Sequence, residues 1–495
     1  MEGEEASNSV VVERSRSPIP WLLCAFLLFG ITIGMRTPGV AMYDSVAQYE
    51  QAVAGEYADW HPPIMARTWA LLNHYQDGTG PFFFLQMLLW WGGLGLLSVG
   101  LGRQRKHGAA ALVLVVGIAP LWLGWATVVL KDAQMACCLV AVTGLCAFWR
   151  LDGRKVPQGA LAAIVLLLSY ATLVRGNAVF ATIPFALALF DWPSPTRTWV
   201  KGAAAIVLIL GVLAISPLIN RHLLGAQASG VERALPLYDL AGIAHHARLP
   251  TIAALPSAQW AEAERKGCYT PYFWNPYGEP RQCGEAGTAA VFEEGAAPHL
   301  LREWVGQVVR HPLAYVRHRL GHLNANLRFW VSAGEPDAIP PLESEPNEYG
   351  LGAPANAAAR SLVAAATVMA ASPLGWPIVW LVIAAGLLWA STGRVEPQVR
   401  LGRALALSAL CMSASFAVVS IASDLRYHLW SMVAAALALI LLIDAKALDR
   451  RRSIVSAVIV LGVVLTATAA RLGLAAPLYV PLPAQAAPTS GLSAH

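Results

Sequence analysis

A chain of 495 residues that is 56% hydrophobic and only 13% charged has too little polar surface for a soluble fold of this size. The net charge of +5 does not point to nucleic acid, because the basic residues lie in short clusters between apolar runs and not along one surface. Composition thus predicts an all-α, polytopic membrane protein lodged in a lipid bilayer.

A helix of about 20 apolar residues crosses a bilayer core. About eleven stretches come near that length, at 18–36, 81–101, 109–129, 133–149, 157–174, 178–192, 202–220, 376–392, 404–422, 429–446 and 453–471. The first is long, and no small-residue cleavage site precedes the polar residues after it, so it is expected to stay as an anchor. Those polar residues, "MYDSVAQYEQAVAGEYADWHPPIMARTWALL" (42–72), carry Asp44, Asp59 and His61-Pro62-Pro63. The glycine-rich run from Gly92 to Gly102 lies inside the second stretch, where small residues let helices approach closely.

Basic clusters fall at every second boundary: Arg103, Arg105 and Lys106; Arg150, Arg154 and Lys155; Arg197 and Lys201; Arg394, Arg400 and Arg403; Arg450, Arg451 and Arg452. This pattern predicts a cytoplasmic N-terminus and cytoplasmic basic loops. The outer connections would then hold Asp44 to Pro63, Lys131 and Asp132 in "VVLKDAQ", Arg175 and Asn177 in "LVRGNAVF", a long segment over 221–358, and Asp424, Arg426 and His428 in "ASDLRYHLW". Charges this near the hydrocarbon are expensive unless they are paired or line a polar cavity.

The predicted organisation is an N-terminal membrane module (1–220) whose first outer loop spans 37–80, an outer segment (221–358), a C-terminal membrane module (359–471) and an outer tail (472–495). Within the outer segment, "HLLREWVGQVVRHPLAYVRHRLGHLNANLRFW" (299–330) reads as two amphipathic helices on or near the interface, interrupted at Pro312. The apolar stretch 358–374 reads either as an extra span or as an interfacial helix. Cys24, Cys137, Cys138, Cys146 and Cys411 lie in apolar runs, whereas Cys268 and Cys283 are expected to form a disulfide in an oxidising compartment. His245, His246 and His311 read as surface or packing residues. There is no internal repeat, Walker A motif, dinucleotide fingerprint or G-x-S-x-G elbow. An enzyme on the outer face would therefore need a substrate that is itself membrane-borne.

Asp44 and Tyr49 after the first span, followed by His61-Pro62-Pro63 opening a helix, resemble the polyprenyl-phosphate-sugar-dependent glycosyltransferases of the GT-C superfamily, in particular the protein mannosyltransferase and aminoarabinose transferase type. "LKDAQ", "VRGNAVFATIP" and "DLRYHLW" look like the Lys-Asp, Arg-x-Asn and Arg-Tyr elements of uncharacterised bacterial members. Ser45 stands where an acid often follows the first Asp of that family. The resemblance implies a GT-C-like bundle in a bacterial cytoplasmic membrane with its site on the outer face. The implied donor is an undecaprenyl-phosphate-linked monosaccharide, and the acceptor is a glycan, lipid or protein. Transfer would be inverting. Donor contacts would come from His61, Lys131, Arg175, Asn177, Arg426 and Tyr427. Metal dependence stays open, with a divalent cation as the cofactor the resemblance allows.

The chemistry needs a base for the incoming hydroxyl and cations for the departing phosphate. Asp44 is the candidate base, and its rival role is to cap the helix that starts at "SVAQYEQAV". Asp59 is a secondary acidic candidate or fixes its loop. His61 binds phosphate or braces the Pro-Pro turn. Lys131 and Arg175 are phosphate ligands or interfacial snorkelers. Arg426 serves the donor or pairs with Asp424, and Asp132 orients Lys131 or binds a cation. Tyr43, Trp60 and Trp69 read as interfacial aromatics. The competing classes are a transporter, which usually keeps its polar sites near the midplane, and a non-catalytic assembly factor.

Overall fold

The computed structural model describes residues 19–192, 197–252, 257–277, 298–333, 338–391 and 394–474. The described residues are almost entirely α-helical. In chain order the helices are α1 (Ile19–Arg36), α2 (Tyr43–Ala54), α3 (Ile64–Asn73), α4 (Gly80–Arg103), α5 (His107–Ile118), α6 (Pro120–Ala126) and α7 (Lys131–Arg150). They continue with α8 (Gln158–Val174), α9 (Val179–Leu189), α10 (Thr198–Leu218), α11 (Ala234–Ala247), α12 (Ser257–Arg265), α13 (Pro298–Arg310) and α14 (Pro312–Leu327). The C-terminal set is α15 (Ala357–Ala371), α16 (Pro377–Ala390), α17 (Pro397–Val419), α18 (Leu429–Asp444) and α19 (Arg450–Arg471).

Among the described residues seven helices are long and apolar enough to cross a bilayer: α1, α4, α7, α10, α17, α18 with the 3-10 turn that precedes it, and α19. The bent pair α5 and α6 makes an eighth if it is counted as one span. Among the described residues the expected eleven spans are thus matched by seven or eight helices of full length and by shorter apolar helices. Residues 109–129 do not form one rod, because the chain bends by 60° between α5 and α6, where Pro120 lacks the N–H that would continue the ladder. Residues 178–192 form only the 11 residues of α9, with Pro184 inside it, about 16 Å at 1.5 Å per residue. α8 and α16 reach 17 and 14 residues. The stretch 358–374 becomes α15, 15 residues that stop before Ser372-Pro373 and fall short of a full span.

N-terminal and C-terminal helices share one apolar core, in which Trp90, Trp91 and Leu94 of α4, Val140 of α7, Leu405 of α17 and Trp430 and Leu437 of α18 are buried together. The glycines of α4 serve close approach. A Cβ added to Gly93 would lie 2.5 Å from the Val140 carbonyl oxygen, and one on Gly144 of α7 would run into the Gly93 backbone. The tight seam between α4 and α7 also fixes where α7 begins, and its first two residues are Lys131 and Asp132.

The polar helix ends sort into two groups. One holds the basic connections, tied by Lys106 to Asp444 at 3.4 Å, Arg103 to Asp152 at 3.4 Å and Arg150 to Asp191 at 3.4 Å. The other holds Asp44, Lys131, Arg175 and Arg426, together with the segment after α10. That segment has its own buried cluster, including Leu237, Tyr238, Trp260, Trp274 and Tyr277, against which Trp60 of the first loop packs. It is tied to the loop by the two-stranded parallel sheet of β1 (Tyr57–Ala58) and β2 (Ala226–Gln227). Cys268 is disulfide-bonded, while Cys283 lies outside the described residues. Cys24, Cys137, Cys138, Cys146 and Cys411 are free.

Candidate functional site

The loop between α1 and α2 is fixed before it reaches Asp44. Arg36, buried at the end of α1, donates to the carbonyls of Pro341 and Leu342 at 3.0 Å and to Thr127 Oγ1 at 3.1 Å. Gly39 turns the chain with φ +93° in a space where a Cβ would meet Phe83 at 2.8 Å. Val40 then pairs with Val128, and the Val129 N–H donates to Val40 O at 2.8 Å. Ser45 closes the start of α2: its hydroxyl accepts from Met42 N–H at 3.1 Å and donates to Val129 O at 2.6 Å. Ser45 thus anchors α2 to the chain two residues before Lys131.

Asp44 is the second residue of α2, after the N-cap Met42, so the capping role falls elsewhere and its carboxylate is aimed at cations. Asp44 Oδ2 lies 3.3 Å from Lys131 Nζ and 3.1 Å from Arg426 Nη2, and Oδ1 lies 3.9 Å from His61 Nε2. Lys131 Nζ in turn is 2.8 Å from His61 Nδ1, so His61 is a partner of the lysine and not only a brace for Pro62-Pro63. Arg426 divides its guanidinium among Asp44, Asp424 at 2.9 Å and Asp132 at 3.9 Å. Asp132, buried one residue into α7, is ion-paired with Arg175. Arg175 Nε donates to Asn177 Oδ1 at 2.6 Å, and its guanidinium lies 4.1 Å over the Tyr427 ring. The same ring lies 5.5 Å from the Arg426 guanidinium.

Residues from four chain regions, 44–61, 131–132, 175–177 and 424–427, therefore form one network. Three cations, Lys131, Arg175 and Arg426, face three carboxylates, Asp44, Asp132 and Asp424. Most of these side chains are buried; Asp44 and Asp424 keep 17% and 18% exposure. Burial alone pushes the Asp44 carboxyl up, but the charges of Lys131 and Arg426 outweigh it and hold the group well below the usual carboxylate range. Burial, then the neighbouring Lys131 charge, lowers His61 to about 3, so the imidazole is neutral at physiological pH.

Asp59, the secondary acidic candidate, stands apart from this network. Its Oδ1 accepts from the N–H and hydroxyl of Ser229, both at 2.7 Å, and Oδ2 accepts from Arg221 Nε at 3.0 Å. These bonds clamp the first loop to the segment after α10 beside the β1–β2 pair. The aromatics are structural as well. Tyr49 accepts from Gly78 N–H at 3.1 Å and meets Trp69 edge-on at 5.2 Å, and Trp60 lies 5.6 Å from Trp274. Tyr43 is exposed. Among the described residues no group of three or more His, Cys, Asp or Glu side chains is disposed to hold a metal ion. Asp132 has Arg175 as its counter-ion instead.

Two features lay beyond sequence reasoning. Glu345 approaches the network from a loop some 300 positions away: its N–H donates to Ala41 O at 2.9 Å, and Ala41 N–H donates to Ser344 Oγ at 2.9 Å. Half-buried, Glu345 has no ion-pair partner among the described residues. Burial lifts its carboxyl above the ordinary value, the Tyr43 N–H offsets part of this, and the Asp44 charge reinforces it. The second feature is a buried cluster in the segment after α10. Asp239 accepts from Trp304 Nε1 at 2.9 Å, lies 3.1 Å from His318 Nε2 and pairs with Arg319. His318 Nδ1 is 2.9 Å from the Tyr269 hydroxyl, which is 3.2 Å from His246 Nε2. His246 thus belongs to a packed network, whereas His245 is exposed and lies 3.3 Å from Glu264. No local spacing announces either feature; both arise from contacts between distant loops.

No protein-family model, curated protein or solved structure matches the chain. What the fold defines is a multi-pass, all-helical membrane architecture with a charge-balanced network at one set of helix ends.

Proposed function

We propose that this network is the active site of a GT-C-type glycosyltransferase that moves a monosaccharide from a polyprenyl-phosphate donor to an acceptor hydroxyl, with inversion, at the outer face of a bacterial cytoplasmic membrane. One observation carries the reading: Lys131, Arg175 and Arg426 gather beside Asp44 and His61 at the ends of apolar helices, the level at which a lipid phosphate lies. Placement at helix ends and not at the midplane favours surface chemistry over passage of a solute.

In this reading the phosphate replaces Asp44 as the partner of Lys131 and Arg426. Cationic donors fixed in advance stabilise the charge that grows on the departing phosphate. Asp44, released from its cations, accepts the proton of the acceptor hydroxyl as the oxygen attacks the anomeric carbon. The bond from that carbon to the phosphate oxygen breaks, and the electron pair leaves with the polyprenyl phosphate. Asn177 and Tyr427 hold Arg175 in place.

The test uses the full-length protein in nanodiscs. Undecaprenyl phosphate retention is read by native mass spectrometry, and transfer is read from a panel of radiolabelled undecaprenyl-phosphate sugars to membrane-extracted acceptors. Retention that falls at least tenfold in Arg426→Gln and Lys131→Met, with transfer by the wild type, supports the reading. Equal retention by all three proteins refutes it.

A further inference from the structure

The network leaves one extended surface unexplained. α13 and α14 are not candidate spans, yet each presents an exposed apolar stripe: Leu301, Val305 and Val309 on α13, and Leu313, Val316 and Leu320 on α14. Within α13 and within α14 the steps of three or four residues put these side chains on one face. Leu313 is 84% exposed and Val309 74%. Trp304, on a flank of α13, donates to buried Asp239, which also holds His318 and Arg319 of α14. The pair is thus locked inward on one side and unpartnered on the other.

We propose that this stripe lies in the headgroup region of the membrane and binds anionic phospholipid. Two observations fix the occupant as a lipid surface. First, α14 lies across the ends of two membrane-spanning helices: Arg319 Nη1 donates to Ser420 O at the end of α17, and Arg471 Nη2 at the end of α19 donates to Arg328 O, both at 2.7 Å. The stripe is therefore held at the depth where apolar helices emerge from the bilayer. Second, exposed Arg302, Arg310 and Arg317 each follow a stripe residue by one position, which places each about 100° round its helix from that residue. Over residues 299–328 there are five arginines and a single acid, Glu303. An apolar face bordered by arginines is the pattern of a helix lying in a lipid interface, where phosphates meet the guanidinium groups.

The experiment places an environment-sensitive fluorescent amino acid at Val309, Leu313 or, as an exposed loop control, Glu348 of the full-length chain, in nanodiscs of phosphatidylcholine with or without phosphatidylglycerol. Brominated acyl chains are expected to quench at Val309 and Leu313 and not at Glu348. In native mass spectrometry the triple variant Arg302→Gln/Arg310→Gln/Arg317→Gln is expected to lose preference for phosphatidylglycerol by about fivefold per arginine. Val309 and Leu313 that are quenched by aqueous iodide and spared by bromolipid would overturn the proposal. Protection that disappears on dilution to one protein per disc would assign the stripe to a second copy and overturn it equally. Unchanged lipid preference in the triple variant would remove the anionic lipid. None of these readouts requires transfer activity.

Discussion

Replacing Asp44 by Asn separates a phosphate-binding network from a merely structural one, because the two give opposite signs for binding. The substitution deletes the shared counter-ion of Lys131 and Arg426, at 3.3 and 3.1 Å. Removing one partner of a buried pair costs roughly 3–5 kcal/mol. Here Asp44 keeps 17% exposure and Arg426 keeps Asp424 at 2.9 Å, so a loss of about 2–3 kcal/mol is expected. Lys131 is affected most, since its remaining close partner is the neutral imidazole of His61 at 2.8 Å. Each contact of Asp44 is worth roughly 5 kcal/mol of Coulomb attraction at an effective dielectric of about 20, before desolvation is subtracted. If a quarter of one contact survives as net competition against a phosphate, affinity for undecaprenyl phosphate rises about tenfold when the competitor is removed. Equilibrium unfolding in mixed micelles measures the first quantity, and native mass spectrometry with undecaprenyl phosphate measures the second. Lower stability with tighter phosphate binding is the expected pair of results, together with transfer reduced by about 10²–10⁴ through loss of the base. Lower stability with equal or weaker phosphate binding would refute the reasoning.

Other expectations rest on the same geometry. The folded His61 pKa of about 3 lies below its ordinary 6.5, so between those values the unfolded chain holds a proton that the fold does not, and stability falls as the pH is lowered through that window by up to about 1.4 kcal/mol per unit. His61→Gln should remove that component, lowering the loss between pH 7 and 5 by about 2 kcal/mol in parallel acid-unfolding curves; identical curves would show that His61 contributes no linkage. Asp59→Ala breaks the clamp to Arg221 and Ser229 and should cost about 1–3 kcal/mol, read as faster proteolysis of the first loop, with undecaprenyl phosphate binding changed less than twofold. Glu345→Gln removes an unpaired carboxylate beside Asp44 and should tighten undecaprenyl phosphate binding by about two- to fivefold; weaker binding would mean that Glu345 supports the network and does not oppose the incoming charge.

Much of the site was legible because its signal is local. A charge at the end of an apolar run is expensive, and Asp44, Lys131, Asp132, Arg175 and Arg426 each stand at such an end. Their mutual contacts arise from helix ends lying at one level. The role of Asp59 as a loop clamp was one of two readings that adjacent Trp60 and the prolines left open. Glu345 was not legible, since it arrives on a loop whose position depends on Arg36 reaching the carbonyls of Pro341 and Leu342. The difference between eleven expected spans and seven or eight full-length helices has another reason. Hydropathy counts apolar residues whatever their path, whereas the bend at Pro120 and the early end of α9 at Leu189 shorten the rods they belong to.

The charge balance of the network also bears on the order of events in the proposed reaction. A carboxylate held by Lys131 and Arg426 is a weak base, because taking a proton would give up both ion pairs. As it stands in the fold, Asp44 is better suited to keep the cations in position than to activate a hydroxyl. An acceptor that arrived first would meet an occupied carboxylate, whereas a donor phosphate that arrived first would take over Lys131 and Arg426 and leave Asp44 with its proton affinity restored. The ionic network would then couple donor binding to base strength, and a hydroxyl, water included, would find an active base only when a donor is present. His61 fits this order: neutral and 2.8 Å from Lys131, it can follow the ammonium group toward the phosphate without adding a fourth cation to a network already in balance.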